Sequence, residues 1–192
     1  MLKRSLLALA ITVAATLPAF AHLDPAEHGS LAAGFSHPLF GLDHILAMIA
    51  VGLWAAQQGG RALWLVPAAF VGTMALGFAA AIGGMPLPFV EPVILASVIF
   101  IGIAIALVLP VPTLAVAALV GFFAFFHGHA HGGELGGAGV WEFALGFVIA
   151  TALLNAAGLV FGMLVARLGS PLISRVLGGL AALGGVWLAV AG

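Results

Sequence analysis

Two short clusters of histidines and carboxylates stand out in a sequence that is otherwise strongly apolar. The first contains His37, Asp43 and His44, and the second runs from His127 to Glu134. Such groups are costly to place near hydrocarbon, and where they occur they usually have a function. Imidazole nitrogens and carboxylate oxygens together form a ligand set for divalent metals such as nickel, cobalt and zinc. The two clusters therefore predict a metal-binding site.

The composition of the chain is that of a membrane protein. Hydrophobic residues make up 64% of the 192 residues and charged residues only 6%, whereas about a quarter of the residues in a soluble domain are charged. The net charge is -1 and the basic residues form no patch, so we expect no nucleic-acid partner. The absence of cysteine excludes disulfides and thiolate ligands. Any bound metal must then be held by histidine, carboxylate, methionine or backbone oxygen.

The N-terminal segment has the layout of a cleavable signal peptide. Lys3 and Arg4 precede an apolar stretch that ends in small residues before Ala21. The alternative is an uncleaved first helix, although this stretch is shorter than the roughly 20 residues that cross a bilayer. Cleavage would make His22 the new N-terminus, whose amine and imidazole could chelate a metal. A solvated outer tail is the competing interpretation of that segment.

Six apolar stretches follow, each near the length of a membrane-spanning helix. Glycine and proline separate most of them, and a histidine-rich loop separates the fourth from the fifth. We therefore predict an all-α integral membrane protein with six transmembrane helices after the signal peptide. The stretches lie at about 37–57, 62–82, 89–109, 112–127, 140–166 and 172–191. The predicted parts are a signal peptide over 1–21, an outer histidine-containing segment over 22–36 and a six-helix domain over 37–192.

Charged residues predict how the helices are oriented. If mature residue 22 lies outside, then Arg61, Arg167 and Arg175 all fall on the cytoplasmic side. The outer loops then carry carboxylates and no mature Lys or Arg, as the positive-inside rule requires. We expect a multi-pass protein of the bacterial inner membrane with a periplasmic mature N-terminus. In this arrangement the two histidine clusters meet at the outer face.

Spacing within the clusters supports a shared direction of the side chains. His127, His131 and Glu134 are separated by four and three residues, which places them on one face of a helix. His44 and Met48 are related in the same way. The Met48 thioether is a possible ligand, although a methionine that only packs is more common.

The backbone at the start of the first predicted helix should be irregular. Pro38 and Gly41 lie between His37 and His44 and are expected to break or kink it. Irregular backbone at membrane depth survives only where protein or a water-filled cavity satisfies its polar groups. This segment is therefore predicted to line a binding site.

The two clusters resemble the signature motifs of the HupE/UreJ family of nickel/cobalt permeases. One motif is His37 followed by Asp43 and His44, and the other is the segment FHGHAHGGE that ends at Glu134. The resemblance covers the whole chain and implies secondary import of Ni2+ or Co2+, with Zn2+ or copper as further possible substrates. It implies metal roles for His37, Asp43, His44, His127, His131 and Glu134, and ranks His129 lower because the motif leaves its position variable. His22 and Met48, for which the resemblance implies no role, are also lower-ranked candidates.

Several candidates also have a purely structural interpretation. Asp43 could cap a helix, and His127 and His131 could lie in a solvated loop. Glu134 could orient a histidine instead of binding the ion. Glu91 lies at the beginning of a predicted helix, and we expect its carboxylate to be stabilised there by the helix dipole and not to bind metal.

The main alternative function is an intramembrane zinc-dependent hydrolase. In such a site three histidines hold the metal and a carboxylate positions the attacking water. The sequence has no His-Glu-x-x-His motif, and the resemblance favours a permease, so we expect no enzyme activity. The predicted partners are the metal ion and the lipid bilayer. A homo-oligomer is also possible, because glycine and alanine line faces of the last two helices and would let helices of two copies pack closely.

Overall fold

The structure, a computed structural model, describes residues 30–135 and 137–191. The predicted signal peptide and His22 lie outside these residues. The described residues form helices joined by short connections and contain no strand. The helices are α1 (Ser30–Ser36), a 3-10 turn (His37–Leu39), α2 (Leu42–Gln58), α3 (Ala62–Ile82), α4 (Val90–Leu107), α5 (Thr113–Gly133), α6 (Val140–Arg167) and α7 (Pro171–Ala191).

The helices α3 to α7 are each long and apolar enough to cross a membrane. The segment Ser30–Leu39 and helix α2 form a pair bent by 76°, which makes a sixth span if the pair crosses as one unit. Large apolar side chains such as Leu180 and Trp187 are exposed on the outside of the bundle. Lipid tails are as apolar as these side chains, so this surface suits the bilayer. The chain is a multi-pass all-α membrane protein, as predicted.

The first predicted span begins later than the apolar pattern indicated. Residues from His37 to Leu39 form a separate 3-10 turn, and α2 starts only after Gly41, whose extended backbone makes it the N-cap. Pro38 lies at the start of that turn, where a missing N–H is tolerated. Because proline lacks this donor, α1 cannot continue through it. The break therefore lies between His37 and His44, where the proline and glycine predicted it.

Helix α5 is longer than predicted and contains all three histidines of the second cluster. The expected histidine-rich loop after residue 127 is wrong, because the helix continues to Gly133. Glycine weakens an isolated helix by about 1 kcal/mol. Here Gly128 and Gly132 lie directly against the backbone of α3, so close packing between the helices stabilises the extended end.

Close helix pairs build the bundle: α2 packs on α6, α3 on α5 and α4 on α7. Each pair has glycines at its contact. A methyl group at Gly128 of α5 would overlap the carbonyl oxygen of Met74 in α3, and one at Gly158 of α6 would overlap that of Ile49 in α2. Backbones can approach this closely only where side chains are absent.

The glycine and alanine faces of the last two helices are used inside the chain. Gly162 of α6 lies against α2, and Gly178 and Gly185 of α7 are buried against α4. These contacts account for the small residues at those positions. The homo-oligomer stays a prediction.

Candidate metal site

A small polar cavity lies at one end of the bundle, where the 3-10 turn, the start of α2, the start of α4 and the end of α5 meet. Its volume is about 230 Å3. Both sequence clusters contribute to it, so the expectation that they meet is confirmed. The cavity is lined by His37, Phe40, Gly41, Asp43, His44, Glu91, His131 and Glu134.

The outermost group of ligand atoms comes from His37, His131 and Glu134. The Nε2 atom of His37 lies 2.8 Å from Oε2 of Glu134, and Nδ1 of His131 lies 3.5 Å from the same oxygen. One donor atom from each residue falls within 4.8 Å of the others. Metal bonds to nitrogen and oxygen are about 2 Å long, so ligands of one ion lie within about 4 Å of each other. A small inward movement would bring all three donors to that separation.

Glu134 supplies negative charge at the opening of the cavity. Its side chain is 49% exposed and follows the last turn of α5. The imidazoles of His131 and His37 beside it hold the pKa of the Glu134 carboxyl well below its usual range. The group is therefore a carboxylate at neutral pH and can attract a cation from solvent.

Asp43 and His44 form a hydrogen-bonded pair at the start of α2. The ring Nδ1 of His44 donates to Oδ1 of Asp43 over 2.9 Å. This bond requires the tautomer in which Nδ1 of His44 carries the proton and Nε2 carries the lone pair. The Nε2 atom is buried and has no hydrogen-bond partner among the described residues. Metal-binding histidines commonly use a carboxylate in this way to fix the ring. Asp43 makes no capping hydrogen bond to the backbone, because Gly41 is the N-cap of α2, but it lies in the first turn, where the helix dipole favours a carboxylate.

His131 joins the two clusters. Its ring lies 4.2 Å from that of His44 and 4.7 Å from that of His37, measured between centroids. The side chain is only 1% exposed, and neither ring nitrogen has a hydrogen-bond partner among the described residues. Nδ1 has only the 3.5 Å ion-pair contact with Glu134, and Nε2 has no polar partner. Buried polar atoms are normally paired, so Nε2 is suited to a ligand that arrives from outside.

His127 lies one helical turn deeper than His131 on the same face of α5. It is fully buried, and its ring centroid is 5.1 Å from that of His44. It does not line the outer cavity. The solvated-loop alternative is wrong for both His127 and His131, because the helix continues through them and packs them inside the bundle.

Two lower-ranked candidates lie away from the cavity. The ring of His129 points toward the connection between α3 and α4, where Nε2 donates to the carbonyl oxygen of Met85 over 2.7 Å. Met48 is fully buried in the hydrophobic core, one turn inward from His44. Neither lines the cavity, whereas the position of His22 lies outside the described residues.

Sequence reasoning missed two contributors to the site. Glu91 lines the cavity together with Asp43, although the helix dipole alone seemed sufficient to explain it. Its predicted position at the outer beginning of a helix was the signal that could have found it. Phe147 of α6 forms an apolar wall, with its ring 4.3 Å from that of His131. Nothing in the spacing of the aromatic residues pointed to this contact.

A bundle of membrane-spanning helices with histidines and carboxylates converging at one end defines a multi-pass membrane protein with a candidate metal site. The family described as HupE / UreJ protein matches residues 9–188. Protein HupE from Rhizobium leguminosarum bv. viciae is 43% identical over 180 residues, which cover 92% of this chain and 94% of that protein. The chain belongs to the HupE/UreJ family, whose members are metal transporters and not enzymes. No solved structure matches.

Proposed function

We propose that the protein is a secondary permease that imports Ni2+ or Co2+ across the bacterial inner membrane through the cavity between α2 and α5. The observation that carries this proposal is the pair of buried Nε2 atoms of His44 and His131, which have no hydrogen-bond partner among the described residues and lie near the Glu134 carboxylate. Imidazole nitrogens of this kind are ligands for divalent metals. The membership of this chain in a family of metal transporters also supports the transport of a metal ion.

The proposed role of each residue follows from its depth in the site. His37, His131 and Glu134 capture the hydrated ion at the opening, and the Glu91 carboxylate adds charge to the same cavity. His44 takes the ion next, with Asp43 fixing its ring. Nitrogen and oxygen ligands without thiolate suit Ni2+ and Co2+, and they also accept Zn2+ and Cu2+. Direct comparison of the ions is therefore part of the test.

The side of the membrane follows from charge. Arg61 precedes α3, Arg167 ends α6 and Arg175 lies in the first turns of α7, all at the end of the bundle opposite the cavity. Positive residues mark the cytoplasmic side of bacterial membrane proteins. The cavity then faces the periplasm, as it must to collect an ion for import, and the mature N-terminus lies on that side too.

Flux through the purified protein in liposomes tests the proposal. We expect the wild type to carry Ni2+ or Co2+ faster than Zn2+ and Cu2+, and the double variant Asp43→Ala/His44→Ala to carry none of them. The matched control is His129→Ala, which removes an imidazole from the same helix end without touching the cavity and should retain wild-type flux. Tight binding of these ions by the wild type without flux would contradict a permease.

A further inference from the structure

A buried serine contacts the deepest histidine of the cluster. Ser97 of α4 and His127 of α5 are both fully buried, and Oγ of Ser97 lies 3.1 Å from Nε2 of His127. The serine hydroxyl also donates to the carbonyl oxygen of Ile94, one turn earlier in α4, over 2.6 Å. Ser97 does not belong to either histidine cluster.

The two hydrogen bonds together determine the tautomer of His127. A hydroxyl has one proton, and the shorter bond to Ile94 uses it. The contact with His127 is then made with the ring N–H as donor and Oγ as acceptor. Nε2 therefore carries the proton and Nδ1 the lone pair.

The lone pair of Nδ1 lies on a buried atom without a partner in the described part of the chain. The neighbouring ring is that of His44, 5.1 Å away between centroids, and His44 is in turn 4.2 Å from His131. The three imidazoles form a continuous series from the outer cavity into the bundle. His127 is the member of this series that does not line the cavity.

We propose that Ser97 is a positioning residue of the transport path, and that its hydroxyl holds His127 in the tautomer whose Nδ1 receives the ion from His44. This inference rests on the proposed function as a metal permease. Ser97 does not itself bind the ion. It acts through His127 in the way that a hydrogen-bond partner fixes the ring of a metal-binding histidine.

The first test measures the tautomer without any metal. The 15N chemical shifts of labelled histidine distinguish a ring nitrogen that carries a proton from one that carries a lone pair, and the His127 signals are assigned by their loss in His127→Gln. We expect His127 of the wild type to carry its proton on Nε2, and Ser97→Ala to lose this fixed state. A proton on Nδ1 in the wild type overturns the proposal.

The second test measures Ni2+ flux in liposomes. Loss of such a partner typically costs 10–100-fold in activity or metal affinity, so we expect Ser97→Ala to lower the maximal rate by about that factor. The concentration at half-maximal rate should change little, because the outer cavity is intact. Ser97→Thr keeps the hydroxyl and should recover most of the rate. The matched control is Thr73→Val, which removes a hydroxyl bonded to a helix carbonyl in α3 and away from the histidines.

The flux measurements distinguish a failure of the proposed role of Ser97 from a failure of the proposed permease function. If the wild type and Ser97→Ala carry Ni2+ equally well while Asp43→Ala/His44→Ala carries none, the role of Ser97 is wrong and the permease stands. An equal loss in Ser97→Ala and Thr73→Val also overturns the role of Ser97, since loss of a hydroxyl bonded to a helix carbonyl would then have the same effect away from the histidines. If the wild type carries no ion, both proposals fall.

Discussion

Replacement of His131 by alanine is expected to lower Ni2+ uptake by at least about 100-fold while the protein still inserts and folds. His131 is the residue where the two clusters meet, since its ring contacts those of both His37 and His44. Apart from the 3.5 Å contact of Nδ1 with the half-exposed Glu134, the ring nitrogens have no polar partner among the described residues, so the substitution removes no other polar contact from the fold. Even an outer-shell partner of a metal ligand is worth 10–100-fold, and a direct ligand should be worth more.

The measurement is Ni2+ flux in liposomes at matched amounts of reconstituted protein. His129→Ala provides the control, because it is two residues away on the same helix and bonds only to the Met85 carbonyl in the described structure. We expect its flux to stay close to that of the wild type. Equal flux in the two variants would remove His131 from the transport path.

Replacement of Gly128 by alanine is expected to destabilise the bundle by about 1–3 kcal/mol or more, the usual cost of forcing extra atoms into a packed interior. A methyl group there would overlap the carbonyl oxygen of Met74, and backbone cannot rotate away as a side chain can. Helices α3 and α5 would have to separate, and His127 and His131 would move with α5. Thermal unfolding in detergent should therefore show a lower midpoint, and uptake should fall as well.

The control for this substitution is Gly72→Ala in α3. A methyl group at Gly72 meets no described atom within 4 Å, so the change adds no strain. Alanine also favours helix over glycine by about 1 kcal/mol. We expect this variant to be as stable as the wild type or slightly more so. If Gly128→Ala unfolded at the same temperature as Gly72→Ala, the close contact between α3 and α5 would be wrong.

Much of the architecture could be predicted because the membrane imposes simple rules. Long apolar stretches separated by glycine and proline located α3, α4, α6 and α7 within a few residues. Alternation of the helices placed both clusters at one end of the bundle. Pro38 and Gly41 predicted the break before α2, since proline lacks a donor and interrupts regular helix.

The remaining features depend on contacts between distant parts of the chain. Helix α5 extends through His131 because Gly128 and Gly132 pack against α3. Judged by their local helix propensity alone, the same glycines favour a loop. The burial of His127 could not be predicted for the same reason. Glu91 joined the cavity only once the bundle brought α4 next to α2.

Diffraction at the nickel absorption edge from crystals of the nickel-loaded protein tests the central claim most directly. The proposal predicts an anomalous peak between His37, His131 and Glu134, with or without a second peak between His44 and His127. The peak should be lost in His131→Ala and kept in His129→Ala. A single peak at another place, such as beside His129 or on the helix faces toward lipid, would contradict the proposed site.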